Sequence, residues 1–160
     1  MLHIFSDLEG IHIAAEMEKR GESFYRHAAR VSRSGETVRF LNQLADDEQK
    51  HRAEFERLFA NESGKLSEEA YDDETNAYLT AVAADVVFPS GLMALRDEGF
   101  ENPAAVLRHA IASEKDSIMF YGELQAHTND AHARGVFAEI SRQEHGHLTR
   151  LLRQLEQITE

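Results

Sequence analysis

Twice in this 160-residue sequence a glutamate stands three residues ahead of a histidine on an otherwise apolar seam: Glu48 with His51, and Glu144 with His147. Leu41, Leu44, Glu48, His51, Phe55 and Leu58 alternate in steps of three and four, the spacing that turns one helix face toward a partner helix. Phe137, Ile140, Glu144, His147 and Leu151 repeat it. A carboxylate and an imidazole in the place of core leucines need a reason. Buried charge is costly unless it is paired or holds a metal, and one oxygen donor and one nitrogen donor a helical turn apart suit a divalent cation.

An internal repeat selects the partners. At an offset of 96 positions Glu18 falls on Glu114, Tyr25 on Tyr121, Glu48 on Glu144 and His51 on His147, without a gap. The seam Ile11, Ala14, Glu18, Gly21, Tyr25, Ala28 is matched by Leu107, Ala110, Glu114, Ser117, Tyr121, Leu124. Each carries a glutamate, then a small residue, then a tyrosine. The same offset discards other candidates. Glu9 and His12 form a third Glu-x-x-His but map onto Ala105 and Arg108, and Glu22 maps onto Ile118. His145, two residues from His147, is expected to face solvent.

Four inward carboxylates, Glu18, Glu48, Glu114 and Glu144, would repel one another in an apolar bundle. Two divalent cations cancel their charge, with His51 and His147 as neutral ligands. A glutamate from each of two helices plus Glu-x-x-His from each of two others is the ligand set of di-iron and di-manganese carboxylate bundles. The expected cofactor is a pair of iron ions, with manganese or zinc as substitutes. All four glutamates are expected to hold and bridge the metals. Tyr25 and Tyr121, two turns beyond Glu18 and Glu114, are expected to donate to a carboxylate ligand of another helix. Gly21 and Ser117 would leave space for oxygen or peroxide beside the ions.

The elements that must position these residues read as helices throughout. Two prolines, nine glycines and long 3.6-residue periodicity predict an all-α chain. The first helix is expected from about Asp7 to Ser32, the second from about Glu36 to Asn61, the third from Asn102 and Pro103 to about His127, and the fourth from about Asp130 to Ile158. Short turns make two antiparallel hairpins, about 7–61 and 102–158, of one domain spanning 1–160. The crossover, about 62–101, is too long for a bare loop and is expected to be helical from about Ser67 to Asp85, then broken by "FPSG" and "DEGF".

A formal net charge of −12 argues against a nucleic-acid partner. No stretch is long and apolar enough for a membrane span, and the N-terminus does not read as a secretory signal. With no cysteine there is no disulfide, thiolate site or iron–sulfur cluster, and the expected location is cytoplasmic.

The motifs "AAEMEKRGESFYRHAA", "LADDEQKHRAEFERLF", "AIASEKDSIMFYGEL" and "ISRQEHGHLTRLL" make the chain similar to the rubrerythrin branch of the ferritin-like superfamily. The resemblance implies a ferritin-like four-helix bundle with a non-haem di-iron centre, reduction of hydrogen peroxide or dioxygen coupled to Fe²⁺ oxidation, and pairing as dimers, sometimes with exchanged helices. Two departures stand out. Without cysteine there is no rubredoxin iron site, so a separate electron donor, or Fe²⁺ itself, is required. Ser117 occupies the position where rubrerythrins carry a further glutamate that exchanges with a histidine. A ferroxidase or iron-storage role, and a structural bundle with an empty or zinc-loaded site, are the alternative expectations.

Overall fold

Ser6 opens the first long helix by accepting the Glu9 amide at 3.2 Å, and α1 runs Asp7–Val31. Such caps satisfy amides that have no partner inside the helix. Ser34 accepts the Thr37 amide at 3.3 Å at the start of α2, Gly35–Glu62. The computed structural model describes residues 4–62, 64–87 and 97–159.

Among the described residues the crossover holds three shorter helices: α3 (Asp73–Val82), α4 (Ala84–Val87) and α5 (Asp97–Phe100). It differs from the expected single helix over Ser67–Asp85. Asp72 accepts the Thr75 amide at 2.9 Å and starts α3 there, while the preceding residues are irregular. Tyr71 instead donates its amide to the Phe5 carbonyl at 2.9 Å, which ties the crossover to the N-terminal segment. The expected break at "DEGF" is the short α5, and "FPSG" lies outside the described residues.

Asn102 accepts the Ala105 amide at 3.2 Å and Pro103 pre-sets the first turn of α6, Pro103–His127. Asp130 accepts the Ala133 amide at 2.9 Å as α7, Ala131–Thr159, begins. The expected bounds of all four long helices hold to within a residue or two. Helix α1 packs along α2 and α6 along α7, giving the two hairpins of an all-helical bundle. There is no strand among the described residues. None of the described helices is long and apolar enough to cross a membrane.

The core is divided. Phe5, Ile11, Phe55, Leu79, Phe120 and Phe137 anchor one apolar cluster. Phe24, Leu41, Leu44, Leu107, Ala110 and Leu151 anchor the other. Glu18, Glu48, His51, Glu114, Glu144 and His147, all buried, belong to neither. The seam positions of four helices thus place a polar layer midway through an apolar bundle.

Candidate metal centre

All six polar side chains come from one chain and converge. Ligand atoms of Glu18, Glu48, His51 and Glu144 lie within 4.8 Å of one another, and so do those of Glu48, Glu114, Glu144 and His147. Glu48 and Glu144 belong to both groups, whereas Glu18 and Glu114 each belong to one.

The histidines turn Nδ1 inward. His51 Nδ1 is 2.7 Å from Glu144 Oε1 and 3.3 Å from Glu18 Oε2. His147 Nδ1 is 3.2 Å from Glu48 Oε1, 3.4 Å from Glu144 Oε2 and 3.5 Å from Glu114 Oε1. The two rings lie 5.6 Å apart, tilted by 23°. Outward, His51 Nε2 meets Gln143 Oε1 at 2.8 Å and His147 Nε2 meets Asp47 Oδ2 at 3.1 Å.

Tyr25 on α1 donates to Glu114 Oε1 at 2.7 Å, and Tyr121 on α6 donates to Glu18 Oε1 at 2.5 Å. Each tyrosine therefore holds Oε1 of the other hairpin's glutamate and does not engage Oε2. Within these six residues seven buried atoms make no hydrogen bond of regular geometry, although the imidazole nitrogens stand within ion-pair distance of the carboxylates: Glu18 Oε2, Glu48 Oε1, His51 Nδ1, Glu114 Oε2, both Glu144 oxygens and His147 Nδ1. Native interiors rarely leave such atoms unsatisfied. Here they surround common points, with three carboxylates and one imidazole at each. That donor set, oxygen and nitrogen without sulfur, fits two divalent cations of the iron and manganese kind.

The profile of the rubrerythrin family matches residues 9–154. The chain belongs to the rubrerythrin family. Its fold is shared with a crystal structure from Thermotoga maritima described as a ferritin-like diiron-carboxylate protein, at 24% identity and a TM-score of 0.68, covering 96% of this chain and 97% of that one. None of the curated proteins compared with it matches.

The rubrerythrin-family site has a distinctive charge state without metal. Burial raises the Glu48 carboxyl well above its usual range, with the neighbouring carboxylates adding to the rise. Burial and Glu144 lift Glu114 to about 8. Glu144 goes the other way: burial and Glu18 push it up, but contacts with Glu114, His147 and His51 outweigh them and lower it. Burial alone would lower the histidines. Contacts with Glu144 and Glu18 instead lift His51 to about 10, and contacts with Glu114 and Glu144 lift His147 to about 11. Without cations, protons neutralise the carboxylate layer. Burial also raises both tyrosines well above the usual range, which keeps them as O–H donors.

Gly21 has a different role from the one its size suggests. A Cβ there would lie 2.4 Å from Glu48 Oε2, so the room it leaves is taken by the carboxylate itself. Open space lies beside it: a cavity of about 430 Å³ between α1, α6 and the crossover reaches Gly21, Tyr25, Glu48, Glu114 and Ser117. The discarded residues lie apart from the cluster. Glu22 pairs with Arg52 at 3.2 Å, and His12 and His145 are exposed.

Asp47 and Gln143, which orient the histidines, were not found by the repeat. They correspond to each other at offset 96 but differ in type, so a search for identical pairs passes over them. Their position, one residue before each Glu-x-x-His, is the signal that was available.

Proposed function

We propose that this chain is a non-haem di-iron oxidoreductase that reduces hydrogen peroxide while Fe²⁺ is oxidised, in oxidative-stress defence or iron handling. The convergence of seven buried ligand atoms, none in a regular hydrogen bond, on two points supports this reading most directly. Glu18 and His51 would hold one iron, Glu114 and His147 the other, with Glu48 and Glu144 shared. When bound, two ferrous ions supply the two electrons that peroxide takes up with two protons to give two waters.

The protein's own residues prepare that reaction. The cavity leads a small oxidant to Glu48 and Glu114, the side of the layer that α1 and α6 leave open. The apolar clusters above and below exclude bulk water, which strengthens every electrostatic interaction inside. Tyr25 and Tyr121 fix the singly shared glutamates so that each presents one oxygen. Tyr25 and Ser117 also bring hydroxyl groups to the cavity wall. Because the chain has no cysteine, the reducing equivalents come from a separate donor or from Fe²⁺ itself.

A second reading, ferrous oxidation by dioxygen, is favoured by Ser117, which puts a hydroxyl rather than a carboxylate on the cavity wall. One experiment separates the two. Protein loaded anaerobically is expected to hold about two irons per chain and to consume hydrogen peroxide in a ratio near one per two Fe²⁺ oxidised, faster than it consumes dioxygen. Faster turnover with dioxygen would favour the second reading. Failure to retain iron would remove both.

A further inference from the structure

The six ligating residues obey the internal repeat, but the groups behind them do not. His147 Nε2 faces the Asp47 carboxylate at 3.1 Å, and His51 Nε2 faces the Gln143 amide at 2.8 Å. The amide's orientation is fixed, because Gln143 Nε2 donates to Glu139 Oε1 at 2.8 Å and a carboxylate can only accept. Its oxygen is therefore the atom turned to His51. A histidine bound to a cation through Nδ1 carries its proton on Nε2, so both rings donate outward, one to an anion and one to a neutral oxygen. Hydrogen bonds to an ionised acceptor are roughly twice as strong as neutral ones. They shift electron density onto the ring and make its other nitrogen a better donor to the metal.

Lys50 stands 3.5 Å from the far oxygen of Asp47 and tempers that charge without reaching the oxygen that faces His147. Glu139 is one residue removed from His51 and half-exposed, its charge shared with Arg142 at 2.6 Å. The difference between carboxylate and amide at the ring itself is therefore the larger one.

We propose that Asp47 and Gln143 make the two metal positions unequal. The position of Glu114 and His147 takes its cation first and more tightly, and that of Glu18 and His51 fills second. Asp47 and Gln143 are positioning residues, since each acts on the cation through an imidazole. The inference rests on the two-metal reading above and adds an order of filling to it.

Titrating the metal-free full chain with Co²⁺ tests it. Two calorimetric steps are expected, the first tighter by about tenfold or more, the scale on which partners of ligating histidines act. In a parallel titration of ¹⁵N-histidine-labelled chain with diamagnetic Zn²⁺, the ring nitrogens of His147 should shift at one equivalent and those of His51 only at two. Asp47→Asn keeps an acceptor and removes the charge, so the first constant should fall and the two steps merge. Gln143→Glu should tighten the second step and narrow the gap from the other side, and it carries the test if Asp47→Asn misfolds. Two equal steps in the parent chain, His51 shifting first, or constants unmoved by both variants would overturn the inference and leave the two-metal reading standing. Absence of Co²⁺ binding would overturn both.

Discussion

Tyr25 on α1 reaches across to Glu114 on α6 at 2.7 Å, and Tyr121 on α6 reaches back to Glu18 on α1 at 2.5 Å. The exchange links the hairpins through the two glutamates that each serve one metal position. Tyr25→Phe removes a donor from Glu114 Oε1 and lets that carboxylate rotate. We expect metal affinity to fall by about 10–100-fold, with Tyr121→Phe giving a similar loss. Competition with a metal chelator measures this, and circular dichroism checks that the bundle is retained.

Gly21 gives a contrast within one helical fold. Its Cβ would meet Glu48 Oε2 at 2.4 Å, so Gly21→Ala should displace a shared carboxylate and lower bound iron well below the parent value. Gly122, Gly135 and Gly146 are exposed on α6 and α7 with open space where a Cβ would sit. Alanine at any of those three should stabilise the fold by about 0.5–1 kcal/mol, with iron content unchanged. Metal analysis beside thermal unfolding separates the two outcomes.

The metal-free protein should lose stability as pH rises. Glu114, lifted from 4.5 to about 8, contributes stability that is fully present below the ordinary carboxyl range and is lost as pH rises from there to about 8. His51 and His147, lifted to about 10 and 11, stabilise fully below about 6.5 and lose that contribution as pH approaches those values. All three act in the same direction, because the folded chain holds more protons than the unfolded one. Thermal midpoints of metal-free protein should fall steadily from pH 5 to 9. Cations must displace those protons, so apparent metal affinity should rise over the same range, and calorimetry in buffers of different ionisation enthalpy should register proton release.

The crossover is also held by a buried polar side chain. Asn76 accepts the Phe5 amide at 2.8 Å and donates to the Tyr71 carbonyl at 2.9 Å. Asn76→Ala leaves the Phe5 amide without that partner in the core, at a cost of about 1–3 kcal/mol. Urea unfolding should show the loss, while iron content at saturating Fe²⁺ stays near that of the parent chain.

What could be read from the sequence, and what could not, follows from the reach of each interaction. Glu18, Glu48, His51, Glu114, Glu144 and His147 stood out because helical spacing fixes which residues share a face, and the repeat named the same face twice. The cap at Asn102 is legible because caps act within three residues, whereas the first helix is capped by Ser6 and not by Asp7, the acidic residue beside it that the sequence also offers. Asp72 was hidden by an acidic run in which several neighbours could cap equally well. Gly21 was visible as a small residue, but only the packing of α1 on α2 shows that Glu48 needs its room. Asp47 and Gln143 act across the bundle on histidines of other helices, so their place one residue before each Glu-x-x-His marks them only once the packing of α2 on α7 is known.

The polar layer has a mechanical consequence. Each proposed metal position draws ligands from both hairpins: Glu144 joins Glu18, Glu48 and His51 at one, and Glu48 joins Glu114, Glu144 and His147 at the other. Two cations seated there would act as removable cross-links in a chain that has no cysteine to form permanent ones. The hairpins, otherwise joined by the crossover, by apolar packing and by hydrogen bonds such as Tyr25–Glu114 and Tyr121–Glu18, would be riveted at mid-height. The rate at which the loaded protein comes apart would then be set by how fast it surrenders metal.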